Sequence, residues 1–224
     1  MLMYDLLKNH AGILLCGDYK SLCSLHEVIH QVNEKSVLIK DKDGPFLGLA
    51  YDLRKAYEGQ RRKFKAPAHY PEIGPSFGVE IIWPVILLQC SMLRAALAFF
   101  DCTKRHQAFT FALEDLVEAA LIADFGANAP EIIANWQRID PRMPWAEEKL
   151  SSRGAQFCQW SKAQRRVGLA GCWLVWTRFI RASIPNGPAK ASNIWCPPRH
   201  WTLWPTPSGR IPTLNADVRC AGAS

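Results

Sequence analysis

The chain has 224 residues, 49% of them hydrophobic, enough apolar material for one large or two small packed domains. Its net charge of +7 joins two unlike parts: residues 1–148 carry 16 Lys/Arg against 19 Asp/Glu, and residues 149–224 carry 11 against the single acid Asp217. Eight cysteines form no C-x-x-C pair and no tight framework, and Met1 to Lys8 has neither a basic start nor a long apolar run. Both features count against a secreted disulfide scaffold and fit reduced thiols in a cytoplasm.

Gly12 to Cys16 is a short apolar run bounded by Gly17, which predicts a buried strand. Asp18 can cap a helix from about Tyr19 to Asn33, with Leu22, Leu25, Ile29 and Val32 repeating on its core face. Ser36 to Lys40 reads as a strand, and Asp43-Gly44 as a tight turn into Pro45 to Ala50. Tyr51 to Lys65 has the alternating charge of an exposed amphipathic helix. Pro67, Pro71, Gly74 and Pro75 place a surface loop over 66–79.

Val79 to Phe100 is the most apolar segment of the first part. Ile81 to Phe100 is long enough to span a bilayer, but Gln89, Ser91 and Arg94 interrupt it, so a buried core helix is expected. Thr103 to Phe125 continues as a helix ended by Gly126, and Pro130 to Ile139 makes a short one. The fold class is therefore α+β, mainly helical. A β-α-β-β-α unit leads into a helical hairpin and a short third helix within a domain of residues 1–148.

Beyond about Leu150 the texture changes. Six of the nine tryptophans lie there, almost without acids, and only 155–183 has the pattern of one helix. Residues 185–215 alternate Pro, Trp, Arg and Ser without period, so the C-terminal third is expected to be irregular. A basic, Trp- and Pro-rich tail of this kind reads as a shifted frame or an acquired extension. Arg165-Arg166, Arg178 and Arg181 among the tryptophans have the look of a nucleic-acid or membrane-surface footprint, if the tail is native.

Residues 26–30 read His-Glu-Val-Ile-His, the H-E-x-x-H arrangement of zinc peptidases. On a helix, His26 and His30 share a face and can reach one metal, and Glu27 can act as base on the bound water. A third ligand is needed. Position 36 is Ser and position 33 is Asn, so the longer H-E-x-x-H pattern fails. Glu58, on the next expected helix, is the best remaining ligand; Asp52 and Glu72 are weaker. A Cys23/His26/His30 stripe offers three donors in a structural site. The simpler account puts His26 at the edge of the apolar face, Glu27 and His30 in solvent, and the spacing down to accident. The basic run Arg61-Arg62-Lys63 with Lys65 reads as a solvated helix end. No P-loop, G-x-G-x-x-G or G-x-S-x-G occurs.

Gly17-Asp18-Tyr19, Leu22, Leu25-His26-Glu27 and Ile29-His30, with Trp83-Pro84-Val85 and Leu93-Arg94, resemble a small bacterial family without an assigned function. The resemblance covers roughly residues 3–140. It implies a bacterial, cytoplasmic domain and a boundary near 145–150, and it supplies no activity. The first functional expectation is a non-catalytic interaction domain acting on a protein partner, with no cofactor. The second is a zinc-dependent hydrolase with His26, His30 and Glu58 as ligands and Glu27 as base. The third is binding of nucleic acid or a membrane surface through the basic tail.

Overall fold

A computed structural model describes residues 1–66, 68, 69, 72, 74–141 and 146–171. The described residues belong to one compact unit, and residues 172–224 lie outside the described residues. The architecture is α+β and mainly helical, around a four-stranded antiparallel sheet of order β1-β2-β4-β3. The strands are β1 (Leu2–Leu6), β2 (Gly12–Asp18), β3 (Arg62–Phe64) and β4 (Ser76–Ile82). The helices are α1 (Tyr19–Lys35), α2 (Pro45–Lys55), α3 (Trp83–Ala96), α4 (Lys104–Phe125), α5 (Ala129–Trp136) and α6 (Ala146–Gln159), followed by a helical segment over residues 162–171.

The expected buried strand is β2. Ile13 and Leu15 pair with Ile81 and Val79, and all four face the helices. Asp18 caps α1 as expected, its carboxylate accepting from the Ser21 backbone N–H at 2.9 Å. Leu22, Leu25, Val28, Ile29 and Val32 are all buried, so α1 lies on the sheet by the face its spacing marks. Thr103 caps α4, which runs to Gly126 as expected, and α5 overlaps the short helix read over 130–139 but ends at Trp136.

The order of elements differs from the β-α-β-β-α reading: Leu2–Leu6 adds a strand before β2, residues 76–79 of the expected loop open β4 opposite β2, and three places between α1 and β4 depart as well. Residues 36–44 form no strand. Ser36 is buried with its hydroxyl donating to the Ala96 carbonyl at 3.2 Å. The Lys42 ammonium donates to the carbonyls of Asn33 and Ser36, satisfying the open end of α1. The turn at Asp43-Gly44 then leads into a helix, because Pro45 at its start costs no hydrogen bond and Phe46, Leu49, Ala50 and Leu53 bury one face. That helix does not continue to Lys65. It widens into a π-turn over Ala56–Gln60, closed by Gly59 at φ 78°, and Arg62–Phe64 pairs with β4 as an edge strand.

The apolar segment after Val79 divides between two elements. Ile81 and Ile82 end β4, and Pro84 opens α3 in the first helical turn. The polar residues inside it are all engaged. Gln89 donates to the Pro45 carbonyl, Ser91 to Leu87, and Arg94 pairs with Glu114 at 2.7 Å. Among the described residues no helix is long and apolar enough to cross a membrane.

The packed core also continues past residue 148. Leu150, Phe157, Leu169 and Ala170 belong to it. Residues 155–171 are not one helix: the chain breaks at Trp160-Ser161, where Ser161 and Gln164 form a reciprocal capping box. At Gly168 an added Cβ would lie 2.7 Å from the Trp160 ring, so the restart packs closely on that indole. Arg165, expected as a surface cation, is buried instead, its guanidinium donating to the carbonyls of Asn9, Phe157 and Cys158. Among the described residues beyond 148, those up to Gln159 and from 162 to 171 are helical, and Leu150, Phe157, Leu169 and Ala170 reach the core. Arg178, Arg181 and the stretch 185–215 lie outside the described residues.

Candidate functional site

Four residues of α1 at steps of four, three and four fall on one stripe: Tyr19, Cys23, His26 and His30. Against this stripe the π-turn after α2 sets Tyr57. The result is a chain of rings in edge contact. Tyr19 meets Tyr57 at 5.4 Å between centroids, Tyr57 meets His26 at 5.7 Å, and His26 meets His30 at 4.7 Å. Tyr19 is 55% exposed and His30 is exposed, whereas Cys23, His26 and Tyr57 are half-buried. The widened turn matters because an α-helical continuation from Lys55 would carry Tyr57 and Glu58 round at the usual pitch.

Burial first, then the charges of His30 and Arg54, hold the His26 imidazole below its ordinary range. It is therefore neutral at pH 7. Burial, with the neighbouring Cys23 and Glu58, pushes the Tyr57 phenol up. A hydrogen bond with the Cys23 thiol does the same for Tyr19. The strip presents polar tips on an aromatic body.

His26 and His30 do share a side, as their spacing requires, and Glu58 is near enough for its charge to act on His26. The remaining assignments separate. Glu27 is turned to the other flank of α1, where Arg105 of α4 donates to its carboxylate at 2.7 Å and also reaches Ser24. The Glu58 carboxylate lies 3.9 Å from both Arg54 and Lys55 and accepts from Gln60 at 3.0 Å. Asp52 is paired with Arg61 at 3.0 Å, and burial nevertheless raises its carboxyl. Glu72 is exposed. Among the described residues no group of three or more His, Cys, Asp or Glu is placed to hold a metal ion. Of the basic run, Arg61 serves Asp52 and Arg62 serves Glu80, and Lys63 lies over the Phe77 ring. They sit on and beside an edge strand, not on a helix end.

Tyr19 and Tyr57 are site residues that the motif alone does not reveal. Tyr19 is marked by its place on the Cys23–His26–His30 stripe. Tyr57 is marked only by the turn that carries it. A second constellation has no sequence signal at all. His10 Nδ1 lies 2.8 Å from Asp124, 114 residues away, and the Trp83 indole donates to the same carboxylate at 2.9 Å. Asn9 and His10 both have left-handed backbone, at φ 61° and 52°. The buried carboxylate, with Arg165 on the Asn9 carbonyl, holds this turn between β1 and β2.

The chain belongs to DUF6904, a domain of unknown function, whose family model matches residues 2–172. The match agrees with the resemblance to an uncharacterised family and reaches beyond residue 140. No curated protein and no solved structure matches the chain.

Proposed function

We propose that this domain is a non-catalytic interaction module and that the Tyr19–Tyr57–His26–His30 strip is its docking surface for a protein partner. The observation that carries the reading is the unbroken chain of four partly exposed rings. Rigid aromatic side chains with polar tips give much contact area for little lost rotamer entropy, which is why interface hot spots favour them. The carboxylates nearest the strip are committed to cations, leaving the rings as its accessible chemistry. A reducing cytoplasm suits the thiols of Cys16, Cys23, Cys90 and Cys102, none of which is in a disulfide.

The test uses the full chain as bait in extract from its own source, beside a Tyr19→Ala/Tyr57→Ala double variant. A partner retained by the first and lost by the second, at matched thermal stability, supports the docking surface. Equal retention by both would sink it.

The paired imidazoles favour one second reading, a zinc-dependent hydrolase. It requires Glu58 to leave Arg54 and join His26 and His30, and Glu27 to leave Arg105. Metal analysis separates it from the first. One zinc per chain, lost in His26→Ala, supports the hydrolase; no bound zinc, or zinc kept by the variant, excludes it.

A further inference from the structure

We infer that the outer edge of β3 is a second docking surface, one that takes an extended segment of alternating acidic and apolar residues as a fifth strand of the sheet. It uses the basic run over 61–65, which the ring strip does not, and it stands without the ring-strip reading.

The two edges of the sheet are unlike. α4 packs against β1, whereas the elements beside β3 are its strand partner β4 and the π-turn that leads into it. Arg62–Phe64 is exposed at every residue, and among the described residues no backbone hydrogen bond from outside the sheet reaches it. The free side of an antiparallel edge presents backbone N–H and C=O groups that a further strand can pair. Proteins commonly recognise extended peptides by this strand addition, with alternate side chains supplying the specificity.

Charge decides what the edge accepts. Residues 51–65 hold six Lys/Arg against the two acids Asp52 and Glu58. Asp52 serves Arg61, Glu58 serves Arg54 and Lys55, and Glu80 of β4 serves Arg62. Among the described residues Lys63 and Lys65 are exposed and have no carboxylate partner. Lys63 lies on the Phe77 side of the sheet, with Nζ 5.9 Å from that ring, and Phe64 falls on the other face, 37% exposed. An incoming strand therefore meets cations along one face and an aromatic ring on the other, which suits acidic residues at every second position with apolar ones between. Basic residues on a short edge strand often serve only to keep other strands away. Here they discriminate: a second copy of this edge would set lysine near lysine, whereas an acidic strand pairs with both. A peptide is favoured over a nucleic acid because only a peptide can also use the open backbone edge as a strand.

The test is binding of a capped, fluorescent Val-Glu-Val-Glu-Val-Glu-Val peptide to the full-length chain, read by anisotropy at low salt. The wild-type chain should prefer this peptide to its Val-Lys counterpart. Lys63→Glu/Lys65→Glu should weaken the acidic peptide about tenfold and turn the preference toward the Val-Lys peptide, a gain that also shows the variant is folded. A Val-Glu peptide N-methylated throughout its backbone keeps the charges but cannot pair as a strand, and it should not bind. Tyr19→Ala/Tyr57→Ala should bind the acidic peptide as the wild type does, which keeps this edge distinct from the ring strip. No binding of the acidic peptide by the wild type, binding indifferent to charge reversal or to N-methylation, or binding lost with the two tyrosines would overturn the inference. Oligothymidylate that displaces the peptide and binds more tightly would overturn it in favour of a nucleic-acid surface.

Discussion

Glu27 and Arg105 form a 2.7 Å ion pair that ties α1 to α4, with both side chains about half exposed. The residue that a metallopeptidase would use as base is here a surface strut. Exposed pairs of this type contribute roughly 0.2–1 kcal/mol, because solvent screens them and ordering two long side chains costs entropy. A double-mutant cycle of Glu27→Gln and Arg105→Gln, read by urea denaturation, should give a coupling below about 1 kcal/mol. A coupling of several kcal/mol would mean a role that solvent screening does not permit.

His106 offers a pH prediction with a definite sign. It closes the capping box of α4: its Nδ1 accepts from the Thr103 backbone N–H at 2.9 Å, so Nε2 carries the proton and donates to Gln31 at 2.7 Å. Burial, then the charges of Lys35 and Arg105, lower its imidazole from the ordinary value. The unfolded chain therefore takes up a proton at higher pH, near about 6.5, than the folded one. Stability from this group is complete above that value and is lost as the pH falls toward the folded pKa. His106→Gln keeps a capping side chain without titrating. The wild-type protein should lose more stability than this variant between pH 7.5 and 5.5, measured by denaturant unfolding. Parallel losses would refute the assignment.

The turn at Asn9-His10 should respond oppositely to two glycine substitutions. Asn9→Gly removes a left-handed backbone cost at an exposed side chain, so it should be neutral or stabilise by up to about 1 kcal/mol. His10→Gly relieves the same type of strain but takes a donor from the buried Asp124 carboxylate. Its net effect should be destabilising by about 1–3 kcal/mol. Trp83→Phe removes the other donor and should cost a similar amount. Thermal unfolding of the three variants checks the ordering; a stabilising His10→Gly would show that Asp124 does not need its partner.

What the sequence made legible was local periodicity with a cap. Asp18, Thr103 and Gly126 mark helix ends by their own chemistry, and both long helices fall where these residues put them. Misreadings arose where two grammars overlap. Asp43-Gly44 is a hairpin signal, but Pro45 with Phe46, Leu49, Ala50 and Leu53 is a helix, and the longer pattern prevails because it buries more surface. Across Val79–Ala96 apolar residues predominate on both sides of the junction, so only Pro84 marks the change from strand to helix. The candidate site divides the same way. His26 and His30 share a face by spacing alone, while Tyr57 depends on a π-turn and Asp124 on a contact 114 residues distant.

The strongest energetic prediction concerns the limit of the domain. Charge and texture change near residue 148, and the resemblance to known sequences suggested a boundary there. Packing does not follow composition at that point. Phe157 is 1% exposed, its ring lies against Trp160 and under the Arg165 guanidinium, and it joins the same core as α3. Asn135 of α5 also donates to the Ala170 carbonyl at 3.2 Å, a bond made wholly in the interior. Removing a buried Phe side chain costs transfer free energy and leaves a cavity, together about 3–5 kcal/mol. Against a typical domain stability of about 5–15 kcal/mol, Phe157→Ala should lower the denaturation midpoint sharply without changing the slope. A chain cut after residue 148 loses Leu150, Phe157, Leu169 and Ala170 at once, uncovering the part of the core they close. It should lose cooperative unfolding and bind a hydrophobic dye. If the cut chain instead melts as sharply as the full one, residues 149–171 are an addition to a core complete without them.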